Sequence, residues 1–309
     1  MKPPGVYAEQ TDLFDLIDRH VQIEKAVSDC GSANGPVFSR IGYLLFSDAP
    51  RGQILQWRPG GAVAEFGGTA AAVFSDDSGG ATGLTFDHQG RLLVCESGRR
   101  RVTRREKDGS QTVLADQCQG LAFTAPHDVV YSIDGSVYFS DGLLPGGRAS
   151  GEAAAEEQTG PAAVYRIVRS QIPGKPAVDC VSTECIRPAG LALSPKQDLL
   201  YVSDAERRNI RVHAIADDGS LATGRVFAEI PSDGPGAAGG LKTDEAGNVY
   251  LAGPGGVRVF NTSGEYLGIV ILPEEPTNCC WGAGFSGLYI TAGTSVYHIG
   301  TKKPGTRTF

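Results

Sequence analysis

The feature that most constrains this chain is a six-fold internal repeat with a period of about 40 to 50 residues, the spacing of propellers and solenoids. A small or polar residue followed by alternating apolar positions opens NGPVF at Asn34, TGLTF at Thr82, HDVVY at His127, AGLAL at Ala189, GGLKT at Gly239 and NCCWG at Asn278. A second strand follows each of these, ending in LLFSD at Asp48, LLVCE at Glu96, VYFSD at Asp141, LYVSD at Asp204, VYLAG at Gly253 and LYITA at Ala292. The spacing from first to second landmark is 14 in five copies and 15 in the fourth. Between them lie turn signals such as DHQG, SIDG and DEAG, so each copy is a hairpin.

Further apolar-alternating runs follow in most copies: QILQW, RVTRRE, AVYRIV, IRVHAI and VRVFN. Each copy therefore reads as about four antiparallel strands, and the whole as an all-β, six-bladed β-propeller. The last copy shows only three strands, ending TSVYHI, and VQIEKAV from Val21 is expected to supply the fourth and close the ring. On this reading residues 1–20 are an N-terminal extension, 21–300 the propeller and 301–309 a C-terminal tail. Leu13, Leu16, Ile17 and Val21 have helical spacing, which predicts a short helix within Asp12 to Ile23 leading into the closing strand. The Gly-, Ala- and Glu-rich stretch from Gly142 to Ala162 has no strand pattern and reads as a long loop over one face, either a lid or a surface insertion.

Composition narrows the function classes. The 42 glycines and 18 prolines suit a chain of many tight turns. A net charge of −7 leaves the short arginine runs at Arg99 to Arg101 and Arg104 to Arg105 too isolated to form a basic face, which argues against a nucleic-acid partner. No run approaches eighteen apolar residues, and the first residues lack the pattern of a signal peptide, so a soluble, cytoplasmic protein without a membrane partner is expected. Seven cysteines with no C-x-x-C pair fit reduced thiols, although Cys180 and Cys185 flank a short turn that would let them pair. There is no G-x-S-x-G elbow or Walker loop, and GPGAAGG from Gly234 to Gly240 lacks the helix that a phosphate cradle needs.

The series GPVF, LLFSD, RGQILQW, GLTFDHQGRLLVCE, GLALSP, LYVSDA, DEAGNVYLAGPGGVRVF and LYITAGTSVY resembles the regucalcin/gluconolactonase/luciferin-regenerating enzyme family across about residues 21 to 300. The resemblance implies a metal-dependent lactonase whose inner-strand positions face a central tunnel and hold one divalent cation, usually calcium. It also implies that Asp204 is the family's metal-binding and catalytic aspartate. At the other positions this chain departs from the pattern. Asn34 stands where a metal-binding Glu is expected, Thr82 where Asn is common, His127 where a substrate-contacting Asn is expected, Ala189 where a metal-binding Asn is expected and Gly239 where Asp is frequent. Calcium takes six to eight oxygen ligands, so the implied metal site, with Asp204 and Asn34 as its ligands, is degenerate.

Two readings stand beside each candidate. Asp204 and Asp141, like Asp48 and Glu96, occupy an acidic slot that either serves the site or caps a turn by accepting backbone N–H groups. His127 offers an imidazole suited to proton transfer at a tunnel-facing position, or is a structural histidine. Asn34, Thr82 and Asn278 provide hydrogen bonds either to a polar substrate or to tunnel waters. The function expected is hydrolysis of a small lactone or ester in the central mouth. The alternatives are metal-independent isomerisation, cyclisation or condensation by His127 and Asp204, and a non-catalytic binding propeller.

Overall fold

The computed structural model describes residues 2–60, 70–142, 159–168, 176–231 and 233–306. Six antiparallel sheets are arranged as the blades of a propeller. Blade one comprises Ala33–Ser39, Tyr43–Asp48, Gln53–Trp57 and Ala72–Ser75. Blade two comprises Ala81–Phe86, Leu92–Glu96, Arg101–Arg105 and Gln111–Ala115. Blade three comprises Pro126–Tyr131, Val137–Asp141, Ala163–Val168 and Ala177–Ser182. Blade four comprises Pro188–Leu193, Leu199–Asp204, Asn209–Ala214 and Arg225–Glu229. Blade five comprises Leu241–Thr243, Val249–Gly253, Gly256–Phe260 and Tyr266–Ile271, with Gly5–Ala8 added outside as a fifth strand.

Blade six is built from both ends of the chain. Pro276–Trp281, Gly287–Ala292 and Ser295–Gly300 come from the C-terminal part, and Glu24–Val27 pairs antiparallel with the last of them. The ring is thus closed by an N-terminal strand, as the three-strand last repeat requires. The first strand of each blade packs against the first strands of its two neighbours all the way round. The expected helix shrinks to the single turn Leu13–Leu16. Its apolar residues still do the work their spacing implied: Leu13, Leu16 and Ile17 are buried against Val257, Val270 and Tyr297 of the last two blades. Among the described residues no helix is long and apolar enough to cross a membrane. Cys180 and Cys185 are both free thiols, the first exposed and the second buried.

Successive blades face each other with apolar side chains on both surfaces, so second strands such as Leu92–Glu96 and Val137–Asp141 are buried at every residue. Near the axis there is no room for side chains between neighbouring inner strands. A Cβ on Gly35, whose φ is +51°, would lie 1.8 Å from the Thr82 carbonyl oxygen, and one on Gly190 would lie 2.3 Å from that of Gly239. Buried hydroxyls bracket the same seams. Ser47 Oγ donates to the Asn34 and Thr82 carbonyls at 3.0 and 2.8 Å, Ser140 Oγ to Ala189 at 2.5 Å and Ser203 Oγ to Gly239 at 2.7 Å. In blade two this position is Cys95, and the hydroxyl of Thr82 reaches the Pro126 carbonyl instead, at 3.1 Å.

The far end of the axis is crossed by the C-terminal segment. Gly305 bridges Asp244, and Thr306 donates its N–H to the Thr243 carbonyl at 3.0 Å. The stretch from Gly142 to Ala162 lies largely outside the described residues.

Candidate functional site

The inner strands begin at one mouth of the ring, and there a cavity of about 290 Å³ opens. Its floor is set by the alternation of the strands. The residues that lead each inner strand into the axis are Asn34, Thr82, His127, Ala189, Gly239 and Thr277. Five of these six line the cavity, Thr82 being the exception. Two residues upstream, on the same side by strand period, stand Ser32, Gly80, Ala125, Arg187, Ala237 and Glu275, and the last four of these line the cavity as its rim. Most of the lining is Gly, Ala or Pro, so the polar chemistry concentrates in Asn34, His127, Thr277, Arg187 and Glu275.

His127 is partly buried, and its Nδ1 is buried without a hydrogen-bond partner. Burial pushes its pKa below the ordinary histidine value. Asp128 and the Ala189 carbonyl pull it back up, and the guanidinium of Arg187 adds to the depression. Burial thus favours the neutral form of the ring. Asn34 Oδ1 accepts the N–H of Gly35 at 2.7 Å, which leaves its NH₂ group to donate into the cavity. The Thr277 hydroxyl is engaged with the Ala33 carbonyl at 2.7 Å and holds blade six to blade one.

Of the sequence candidates, the structure brings Asn34 and His127 together and sends the other four elsewhere. Asp204 does not line the cavity. Its fully buried carboxylate accepts the N–H groups of Ile186 at 2.8 Å, Arg187 at 3.2 Å, Glu206 at 3.0 Å and Arg207 at 3.1 Å. Asp141 is likewise turned to Thr124 and Ala125, at 2.8 and 2.6 Å, and burial pushes its pKa up to about 6 against the pull of those two N–H groups and of Arg100. Asp48 makes the same clasp on Gly31 and Ser32. In these three blades the acidic slot is thus a clasp on the segment leading into the inner strand, which is the turn-capping alternative, whereas Glu96 in blade two accepts from Arg101, Thr103 and Gln111. Thr82 braces the seam between blades two and three. Asn278 is buried, its Oδ1 on the N–H of Cys279 at 2.8 Å.

The misplacement of Asn278 is a register slip of one residue. Pro276 pairs with Ala292 as Pro188 pairs with Asp204, so the axial residue after it is Thr277. Arg187 and Glu275 were missed altogether. The signal for both was present: stepping each repeat back by two residues lists the rim, and only those two of the six are charged.

The residues do not fit the calcium site implied by the resemblance. Ala189 and Gly239 carry no side-chain ligand atom and their carbonyls already accept the Ser140 and Ser203 hydroxyls, Asn34 Oδ1 already accepts a backbone N–H, and His127 offers nitrogen to an ion that prefers oxygen. Among the described residues no three His, Cys, Asp or Glu side chains are grouped to hold a metal ion.

Comparison with known proteins agrees with the repeat. Residues 32–294 match the family model described as the SMP-30/Gluconolactonase/LRE-like region. The gluconolactonase of Zymomonas mobilis is 31% identical over 307 residues, covering 94% of this chain and 84% of that one. The structure of a Xanthomonas campestris gluconolactonase superposes with a TM-score of 0.82 at 26% identity, over 97% of this chain and 95% of that one. Regucalcin from Agrobacterium tumefaciens, described as a calcium-binding protein, shares the fold with a TM-score of 0.70 at 15% identity, over 93% and 98% of the two chains.

Proposed function

Because this chain belongs to the SMP-30/gluconolactonase/LRE-like family, we propose that it is a lactonase-type hydrolase that opens a small lactone in the cavity above Asn34 and His127. The observation that carries this reading is the coincidence of two facts. A gluconolactonase matches nearly the whole chain, and the mouth of the ring holds a half-buried imidazole, its neutral form favoured by burial, at an axial position.

The chemistry follows from the residues present. His127 takes a proton from a water as that water attacks the lactone carbonyl carbon, and the Asn34 NH₂ donates to the oxygen on which negative charge develops. The imidazolium then returns its proton to the ring oxygen as the C–O bond breaks. The products are a carboxylate and a hydroxyl on one open chain, with the solvent taking up the acid proton. No step is routed through a metal.

The test is a proton-release assay on glucono-δ-lactone with chelator-treated protein, with and without added calcium. Wild-type turnover is expected in both conditions, and His127→Asn is expected to lower kcat by roughly 10²- to 10⁴-fold with an unchanged melting temperature. Full activity in His127→Asn, or activity that appears only with calcium, overturns the mechanism.

A further inference from the structure

The rim two residues above the axial ring carries one cation and one anion, on different blades. Arg187 stands on the segment leading into blade four and Glu275 on that leading into blade six. The backbone of Arg187 is held from both sides. Its N–H donates to Asp204 at 3.2 Å and its carbonyl accepts the N–H of Ala205 at 3.0 Å. The guanidinium itself is lightly committed. Of its five N–H donors, Nη2 reaches the Ala205 carbonyl at 3.3 Å, and Nη1 lies 3.9 Å from Glu206, a side chain 57% exposed. An ion pair that long and that wet contributes little, and a ligand carboxylate can displace it. His127 opens the inner strand of blade three and Arg187 leads into that of blade four, so the cation and the axial imidazole line the same cavity from neighbouring blades.

We propose that Arg187 is a carboxylate-binding subsite and that the preferred substrate is a polyhydroxy lactone already bearing a carboxylate, oriented by Glu275 across the mouth. Arginine's planar fork matches a carboxylate through two parallel N–H bonds, which fixes direction as well as affinity. Glu275 repels the same carboxylate and accepts hydroxyl hydrogens, so the two rim charges admit an acid-bearing sugar lactone in one orientation. The lactone ring is thereby set over Asn34 and His127. The substrate class rests on the hydrolase reading, whereas the anion subsite itself does not.

The experiment has a kinetic and a binding arm. Glucono-δ-lactone and the carboxylate-bearing D-glucaro-1,4-lactone are compared for kcat/KM with wild type, Arg187→Gln, Arg187→Lys and Glu275→Gln. The acid lactone is expected to be the better substrate. Arg187→Gln should lose about 10- to 100-fold on it while changing the neutral lactone far less, as expected for a hydrogen bond to a charged group. Arg187→Lys should recover only part of the loss, and Glu275→Gln should raise the affinity for the acid lactone. Equal losses on both lactones in Arg187→Gln, or no preference in wild type, overturn the subsite. If neither lactone is turned over, the hydrolase reading fails but the subsite is still decided by thermal shift with D-glucarate. A melting rise in wild type and Glu275→Gln that is absent in Arg187→Gln supports it, and no rise in wild type refutes it.

Discussion

Replacing Asp204 by alanine separates two roles that look identical from sequence, a catalytic carboxylate and a backbone clasp. Four N–H groups converge on this fully buried side chain, and Arg207 Nη1 lies 3.7 Å away. Arg207 is 43% exposed, so that ion pair contributes little. The N–H groups of Glu206 and Arg207 lie on exposed residues and can turn to water when the carboxylate is removed. Ile186 is exposed as well, so the donor left without water is the N–H of half-buried Arg187, on the segment leading into the inner strand. One lost hydrogen bond to a charged acceptor puts the cost at about 1.5–3 kcal/mol.

For a chain of 309 residues, unfolding entropy of about 2.1 cal/mol/K per residue converts each kcal/mol into about 1.5 °C, so Asp204→Ala should melt about 2–5 °C below wild type. The assay is calorimetry beside lactone turnover at a temperature where both proteins are folded. Turnover number should stay within about tenfold of wild type, because no reacting atom meets Asp204, while KM rises as the Arg187 backbone loosens. A fall of kcat beyond about a thousandfold with an unchanged melting temperature would refute the clasp and return Asp204 to the chemistry.

Two further outcomes test the ring. Removing residues 1–28 strips Leu13, Leu16, Ile17 and Val27 from the core, about 6–12 kcal/mol of apolar burial as an upper bound, and should leave insoluble or non-cooperatively melting protein; an unaltered melting temperature would show that the ring closes without it. Glu274 is bound by Ser295, Tyr297 and Thr294, and although partial burial raises its pKa these hydrogen bonds outweigh burial and bring it from 4.5 to about 2. Its contribution is complete above about pH 4.5 and is lost as pH falls toward 2, so Glu274→Gln should flatten the acid limb of the stability profile between those values, and a profile with the wild-type slope would count against it.

The fold was legible because a propeller repeats one local decision six times. Turn signals, alternation and a fixed offset recur, so chance error in one copy is corrected by the other five. The closing strand was legible for the same reason, as a missing fourth strand in the last copy. The lining of the cavity was legible only where it follows the repeat directly, at Asn34 and His127. Asp204 was misread because L-Y-V-S-D is the same string whether the acid faces the axis or the preceding segment. Its direction is decided by Ile186 and Arg187, eighteen and seventeen positions away. Asn278 was misread because blade six pairs Pro276 with Ala292 across one residue more than blades one to three do, and a one-residue slip in a strand exchanges its two faces.

The seams at which glycine backbone meets glycine backbone have a consequence for how such a ring changes over time. Gly35, Gly83, Gly190 and Gly240 fix the distance between neighbouring inner strands by direct backbone approach, so the diameter of the mouth does not depend on which side chains project into it. The positions whose side chains tie no seam, Asn34, His127, Ala189 and the rim, behave as sockets on that hub, whereas Thr82 and Thr277 are part of it. Emptying one of them, as at Ala189, or fitting a base at His127 and a cation at Arg187, leaves the hub unaltered. Reactivity can therefore wander from one chemistry to another through substitutions that are nearly silent for folding, and the historical route between them need not pass through an unstable ancestor.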